Sequence, residues 1–110
     1  YTILYDRFIN PHGIHKTSWG YIVSDTKGNR AILLDNDFKQ IRVLTGDFEW
    51  VQDAIEFERY LIIGNDNKGR LEILTHDGEL VTQVNWDLNA RLLSSLLLIT
   101  GKDARTAFLP

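Results

Sequence analysis

The feature that most constrains the fold of this chain is an internal repeat of about forty residues. When Arg30 is placed on Arg70, Asp37 falls on Asp77, and the flanking apolar segments coincide. A period of this length is typical of solenoids and propellers, in which each unit buries its apolar face against the next one. The chain is therefore expected to fold as an array of similar units.

Weaker copies extend the repeat toward both ends. Residues 97–105 reproduce a strand, a turn and an arginine at Arg105, and residues 2–9 resemble residues 32–41. The prediction is a single repeat region over residues 1–110. It divides into the end of one unit at 1–10, full units at 11–47 and 48–87, and a partial unit at 88–110.

The repeated segments have the composition of short β-strands. Residues 21–23, 31–34, 60–63 and 71–74 are rich in β-branched and aromatic residues. Gly, Asn and Asp, which favour turns, fill residues 25–29, 65–69, 76–78 and 100–103. Residues 49–59 also have apolar residues at helical spacing, and residues 89–99 are apolar nearly all round, so both could be helical; the repeat places strands there. Counting strands gives four in each full unit, and the fold class is all-β.

One unit resembles an NHL repeat, a propeller-forming family. The resemblance rests on Pro-His-Gly-Ile at 11–14 and on residues 20–35, where a Gly-aromatic strand leads to Asp25, Asn29 and Arg30. Asn directly before Arg, and Ala31 in place of Ile, depart from the family pattern. The second unit keeps Arg70 but lacks the Pro and Gly. The resemblance implies antiparallel four-stranded blades of a β-propeller.

Such propellers are closed rings, commonly of six blades, whereas this chain has strands for about three. The sequence has no Met and begins with Tyr1, and residues 107–110 resemble a strand without its partner. We therefore expect either a fragment of a larger propeller or an incomplete ring that further copies complete. Either arrangement leaves apolar blade faces to associate, so we expect the chain not to be a stable monomer.

Composition excludes several classes of function. The chain has no Cys, which rules out disulfides, thiolate metal sites and thiol catalysis. The net charge is −3, and no basic cluster of the kind that nucleic acids require is present. The longest apolar run, residues 92–99, is interrupted by Ser94 and Ser95 and is shorter than the ~20 residues of a membrane-spanning helix. Nucleic acid and membrane partners are therefore not predicted, and nothing assigns a cellular compartment.

The most regular polar residues of the repeat are interpreted as structural. Asp25 and Asn29 flank a hairpin turn, where short polar side chains bond nearby backbone N–H groups. Arg30, Arg70 and Arg105 recur at the start of a strand, where an arginine can lay its stem on the sheet and bond a neighbouring carbonyl or carboxylate.

The candidate binding residues are His12, Gln52 and Asp53. The resemblance implies that the segments leading into the innermost strands face the central channel of the ring, where related propellers bind ligands. A divalent cation such as Ca²⁺ or Zn²⁺ at this lip is the alternative to a solvated loop. His12 and His15 do not suit a two-histidine metal site, because residues three apart on a strand point to opposite faces.

Two further features have structural interpretations with functional alternatives. Residues 65–69 alternate oxygen side chains before a Gly, as calcium loops do, but their spacing fits a hairpin turn better. Trp19, Trp50 and Trp86 are predicted to pack between blades, with sugar stacking as the alternative.

The sequence favours a non-enzymatic binding or scaffold module without a cofactor. No phosphate loop, nucleophile elbow or spaced pair of carboxylates is present. The predicted partners are another protein or further copies and blades of the same propeller. The alternative is a metal-dependent hydrolase or lyase that uses His12 and Asp53 near a central ion; a third, weaker alternative is carbohydrate binding.

Overall fold

The computed structural model describes residues 7–85, and within this range the chain forms two four-stranded antiparallel sheets. Each sheet is a simple meander in which consecutive strands are neighbours. The all-β prediction is thereby confirmed for the described part, whereas Trp86, Arg105 and the predicted third unit lie outside it. The strands are β1 Pro11–Lys16, β2 Gly20–Asp25, β3 Arg30–Asp35, β4 Gln40–Leu44, β5 Val51–Phe57, β6 Tyr60–Asn65, β7 Arg70–Thr75 and β8 Leu80–Asn85.

The strands form where the sequence is aliphatic and β-branched. The four apolar segments of the repeat are the central strands β2, β3, β6 and β7, as predicted. The segment 49–59, which also has helical spacing, contains β5 and pairs with β6. Its strand interpretation is confirmed: Val51 and Ala54 are buried against the first sheet, whereas Ile55 and Phe57 lie on the opposite face, as the alternation of a strand requires.

The two sheets have the same strand register at a spacing of forty residues. Pro11 pairs with Asp25 in the first sheet, and Val51 pairs with Asn65 in the second. Both sheets have an irregularity at the start of the first strand, and another between the third and fourth strands, after Leu33 and after Ile73 in their respective sheets. We call residues forty apart equivalent, because the structure places them at the same point of each sheet.

The turn between the second and third strands is also repeated. A short 3-10 helix, Thr26–Gly28 in the first sheet and Asp66–Lys68 in the second, is followed by a left-handed residue. That residue is Asn29, with φ of 55°, in one sheet and Gly69, with φ of 65°, in the other. Asn and Gly are the residues that adopt this conformation at least cost. Residues 65–69 therefore form a hairpin connection.

The apolar residues form three clusters. Neighbouring residues on a strand point to opposite faces, so each sheet contributes to two of them. The inter-sheet core comprises Ile22, Ala31, Leu33, Leu44, Phe48, Val51, Ala54, Leu61, Ile63 and Leu74. The first outer cluster comprises Val23, Ile32 and Leu34 with the partly buried Phe8, Tyr21, Phe38 and Val43. The second outer cluster comprises Ile62, Leu71 and Ile73 with the partly buried Ile55, Phe57, Tyr60 and Val84.

Polar contacts along the edges of the inter-sheet core hold the sheets together. The Thr26 hydroxyl donates to the Val51 carbonyl at 2.7 Å, a bond buried between the sheets. At the far edge, Arg42 Nη1 donates to the His76 carbonyl at 2.8 Å. Trp19 packs against the inter-sheet core, with its ring edge-on to His76 at 4.8 Å between centroids. The predicted packing of Trp19 between units is thus confirmed.

Residues 7–85 contain no helix of the length and apolar character needed to cross a membrane.

Candidate functional site

His12 and Gln52 are brought together by Trp50. The Trp50 ring lies edge-on to the His12 imidazole, with 5.7 Å between centroids, and its Nε1–H donates to Gln52 Oε1 at 3.0 Å. Trp50 has a φ of 66°, and its backbone N–H donates to Asn29 Oδ1 at 2.9 Å. The turn of the first sheet therefore holds the tryptophan that precedes β5, and an aromatic group forms where the two sheets meet.

Asp53, the third candidate binding residue, has different partners. Its Oδ1 lies 2.9 Å from His15 Nε2 and accepts the Ala54 backbone N–H at 2.9 Å. Both side chains are partly exposed, so the pair contributes at most about 1 kcal/mol to stability. The structure thus joins Asp53 to His15 across the two sheets rather than to His12. Sequence reasoning gave no role to His15 beyond the disfavoured metal site.

A second contact between the two sheets lies just beyond the C-terminal end of β1. The backbone N–H and hydroxyl of Ser18 donate to the two carboxylate oxygens of Glu56 at 2.7 and 2.8 Å. Together with the His15–Asp53 pair, this contact fixes β5 beside β1. Neither pair has a signature in the sequence, because each depends on how the sheets are placed beside each other.

An open apolar cavity of about 330 Å³ lies beside His12. Its wall consists of Phe8, Pro11, His12, Gly13, Ile14 and Val23. Phe8 and Val23 belong to the first outer cluster, so the cavity lies on the face of the first sheet that is turned away from the second sheet. Ile14 is 55% exposed and Ile9, nearby in sequence, is 66% exposed. Such a surface is suited to an apolar side chain and offers only the imidazole as a polar group.

Asp25 holds the segment that leads into β1. Its carboxylate is fully buried and accepts the backbone N–H groups of Ile9 and Asn10, at 3.0 and 2.7 Å, and Arg30 Nε at 2.8 Å. Burial raises the pKa of Asp25, but the two backbone N–H groups and the guanidinium outweigh it and hold the pKa below its usual value. Arg30 also donates to the Arg7 carbonyl at 2.6 Å. These contacts anchor the wall of the cavity.

The second sheet has a related network, in which the buried carboxylate lies on the third strand of the sheet, β7, rather than on the second. Asn65 Nδ2 and Arg70 Nε each donate to Glu72 Oε2 at 2.7 Å, and Gln83 donates to Oε1 at 2.6 Å. Glu72 is 2% exposed, and its hydrogen bond is the main reason that the pKa of Arg70 lies above the usual arginine value. Arg70 Nη2 reaches the Asp47 carbonyl at 3.2 Å, as Arg30 reaches Arg7. Sequence reasoning missed Glu72, which is equivalent to the apolar Ile32.

A metal ion requires several side-chain ligands that converge on one point. Within residues 7–85, no group of three or more His, Asp or Glu side chains is placed to hold one. Of the residues that the metal-dependent alternative requires, His12 faces Trp50 and Asp53 faces His15.

Comparison with known proteins does not identify the chain. A scan against protein-family models gives no match, and a search of curated proteins finds no significant similarity.

Proposed function

We propose that the chain is a non-enzymatic, protein-binding part of a β-propeller of the NHL-like type, with its two described sheets as consecutive blades. Four-stranded meanders that repeat every forty residues are characteristic of propeller blades. The same register, the same irregularities and the same arginine contacts recur in both sheets, which supports a common unit.

The order in which the faces pack also supports consecutive blades. The first sheet contributes Ile22 and Leu33 to the inter-sheet core, whereas their equivalents Ile62 and Ile73 lie on the opposite side of the second sheet. Each sheet thus presents the same face in the same direction along the array. A ring or solenoid requires this arrangement, because every unit must pack front to back on the next.

The observation that carries the binding role is the apolar cavity beside the His12–Trp50–Gln52 group. Protein interfaces depend on a few aromatic and aliphatic anchors that enter desolvated pockets. The cavity offers such a pocket, Ile14 offers exposed apolar surface, and Trp50 and His12 form an adjacent rim. A partner protein that inserts an apolar side chain fits this surface.

The metal-dependent hydrolase or lyase has less support. General acid–base or metal chemistry requires several polar groups that converge on one point. Asp53 is engaged by His15 and Asp25 by Arg30, and both pairs hold the chain together. The apolar cavity wall provides the His12 imidazole alone.

Site-specific photo-crosslinking tests the binding role. A benzophenone amino acid replaces Ile14 at the cavity, and the same amino acid replaces Ile41 in a matched control, since Ile41 is exposed but lies away from the cavity. We expect a protein crosslink from position 14, identified by mass spectrometry, and much less from position 41. Equal crosslinking at the two positions overturns the proposed surface.

Elemental analysis of the purified protein tests the enzymatic alternative. The proposal expects the same metal content for the wild-type protein and for His12→Ala. A stoichiometric divalent ion that is lost in His12→Ala overturns the non-enzymatic proposal in favour of the metal-dependent one.

A further inference from the structure

The interface between the two sheets has an equivalent on each outer face of the pair. The members of the inter-sheet core that lie on the first sheet have apolar equivalents in the second outer cluster: Ile62, Leu71, Ile73 and Val84 are equivalent to Ile22, Ala31, Leu33 and Leu44. One face of the second sheet therefore has the composition of the face that the first sheet uses to pack.

The other half of the interface is repeated as well. The residues of the inter-sheet core from Phe48 onward have apolar equivalents in the first outer cluster or the cavity wall. Phe8, Pro11, Ile14, Tyr21, Val23 and Leu34 are equivalent to Phe48, Val51, Ala54, Leu61, Ile63 and Leu74. The cavity wall is thus equivalent to the surface of the second sheet on which the side chains of the first sheet pack.

Two polar contacts at this interface change their character in a way that suits a second docking event. The position of His15 is taken by Ile55, and the position of its partner Asp53 is taken by Gly13 in the cavity wall. An isoleucine thus replaces the imidazole, and the residue at the position of Asp53 has no side chain and lines the cavity. The repeated contact becomes an apolar side chain entering a cavity.

The other contact changes from a serine–carboxylate hydrogen bond to a pair of opposite charges. Ser18 and Glu56 bond each other between the sheets, and their equivalents are Glu58 and Lys16. When the second sheet of one copy packs on the first sheet of another copy, Glu58 therefore meets Lys16. Opposite charges favour this register over its alternatives.

We infer that a second copy of this chain docks head to tail, with its second outer cluster packed on the first outer cluster and cavity of its neighbour. Ile55 of one copy fills the cavity over Gly13 of the next, and Glu58 faces Lys16. The inference names the partner of the surface described above and therefore rests on the proposed function. Because the two faces differ, the contact is heterologous and builds a ring if it closes or a filament if it does not.

Analytical ultracentrifugation over a range of concentrations tests this docking. We expect the average mass of the wild-type protein to rise above 12.7 kDa with concentration. Ile14→Lys places a charge in the interface and weakens association at least about tenfold. Ile41→Lys, a matched change at an exposed residue that belongs to neither outer cluster nor the cavity wall, leaves association unchanged. Circular dichroism checks that both variants keep the β-fold.

A wild-type mass of 12.7 kDa at every concentration overturns the inference, as does equal association of Ile14→Lys and the wild-type protein. A monomer that still crosslinks a different protein from position 14 overturns self-docking and leaves the proposed function in place. If the protein is a monomer and also forms no crosslink from position 14, both the self-docking and the proposed function are overturned.

Charge reversal tests the head-to-tail register separately. Lys16→Glu and Glu58→Lys each weaken association about two- to fivefold, since exposed ion pairs are modest in strength. The double variant Lys16→Glu/Glu58→Lys restores the association, because each reversed residue meets a reversed partner on the other copy. Weakening in both single variants without recovery in the double variant overturns the register.

Discussion

Asn65 has the same backbone conformation as Asp25, with φ of −91° at both residues and ψ of 80° and 79°, but it has no charge. The second sheet obtains its carboxylate from Glu72 instead, where the first sheet has the buried Ile32. Each sheet therefore contains one buried carboxylate paired with its arginine, on different strands. The repeat conserves the balance of charge rather than the position of the acid.

This exchange predicts the effect of Asp25→Asn. The asparagine can still accept one backbone N–H, as Asn65 accepts that of Glu49, but Arg30 loses its buried ionic partner. We expect the free energy of unfolding, measured in urea, to fall by about 2–3 kcal/mol.

The double variant Asp25→Asn/Ile32→Glu is the matched control, because it copies the arrangement of the second sheet. It should be more stable than the sum of the two single changes, since Ile32→Glu alone adds a second buried anion beside Asp25. Strict additivity of the two changes would contradict the charge exchange.

Asn65→Asp is the converse change in the second sheet. It places a second carboxylate within hydrogen-bond distance of the buried Glu72, and like charges in a buried site raise each other's pKa. We expect a loss of stability at neutral pH that shrinks on mild acidification, when the pair takes up a proton. Urea unfolding at pH 7 and pH 5 measures this difference, and a loss that is independent of pH would argue against it.

The repeat, the strands and the turns were predictable because local chemistry decides them. Asn29 and Gly69 mark the left-handed turn residues, and the apolar segments mark the central strands. The contacts between the sheets were not predictable, since the His15–Asp53 pair joins residues of different units. Glu72 was hidden because alignment of the repeat places it on an apolar residue. The roles predicted for Arg105 and Trp86 fall outside the described residues and stay predictions.

The lowered pKa of Asp25 predicts how stability changes in acid. Because the folded protein holds this carboxyl at a lower pKa than the unfolded chain, the stabilisation is complete above the unfolded-state pKa. It is lost as the pH falls through the folded-state value. Denaturation measured from pH 7 to pH 2 should show a smaller decline for Asp25→Asn than for the wild-type protein. Equal declines would mean that other carboxyls, such as the exposed Asp47, account for the acid sensitivity.

Among substitutions that add a single methyl group, we expect Gly20→Ala to lower the free energy of unfolding most. Gly20 begins β2 with a φ of 155°, and a Cβ atom there would lie 2.0 Å from the Leu34 carbonyl oxygen and 2.8 Å from the Asp35 backbone. Backbone atoms in a paired strand have little room to move, so Gly20→Ala must separate β2 from β3. We expect a loss of about 3 kcal/mol or more in the free energy of unfolding.

Gly46→Ala is the control for Gly20→Ala. The nearest atom to its added Cβ is Phe48 Cε1 at 3.2 Å, which belongs to a side chain that can shift by a few tenths of an ångström. We therefore expect a change of less than about 1 kcal/mol at this position. Similar losses for the two variants would show that the cost comes from removing glycine as such. A large loss confined to Gly20→Ala would show that the close approach of β2 to β3 sets it.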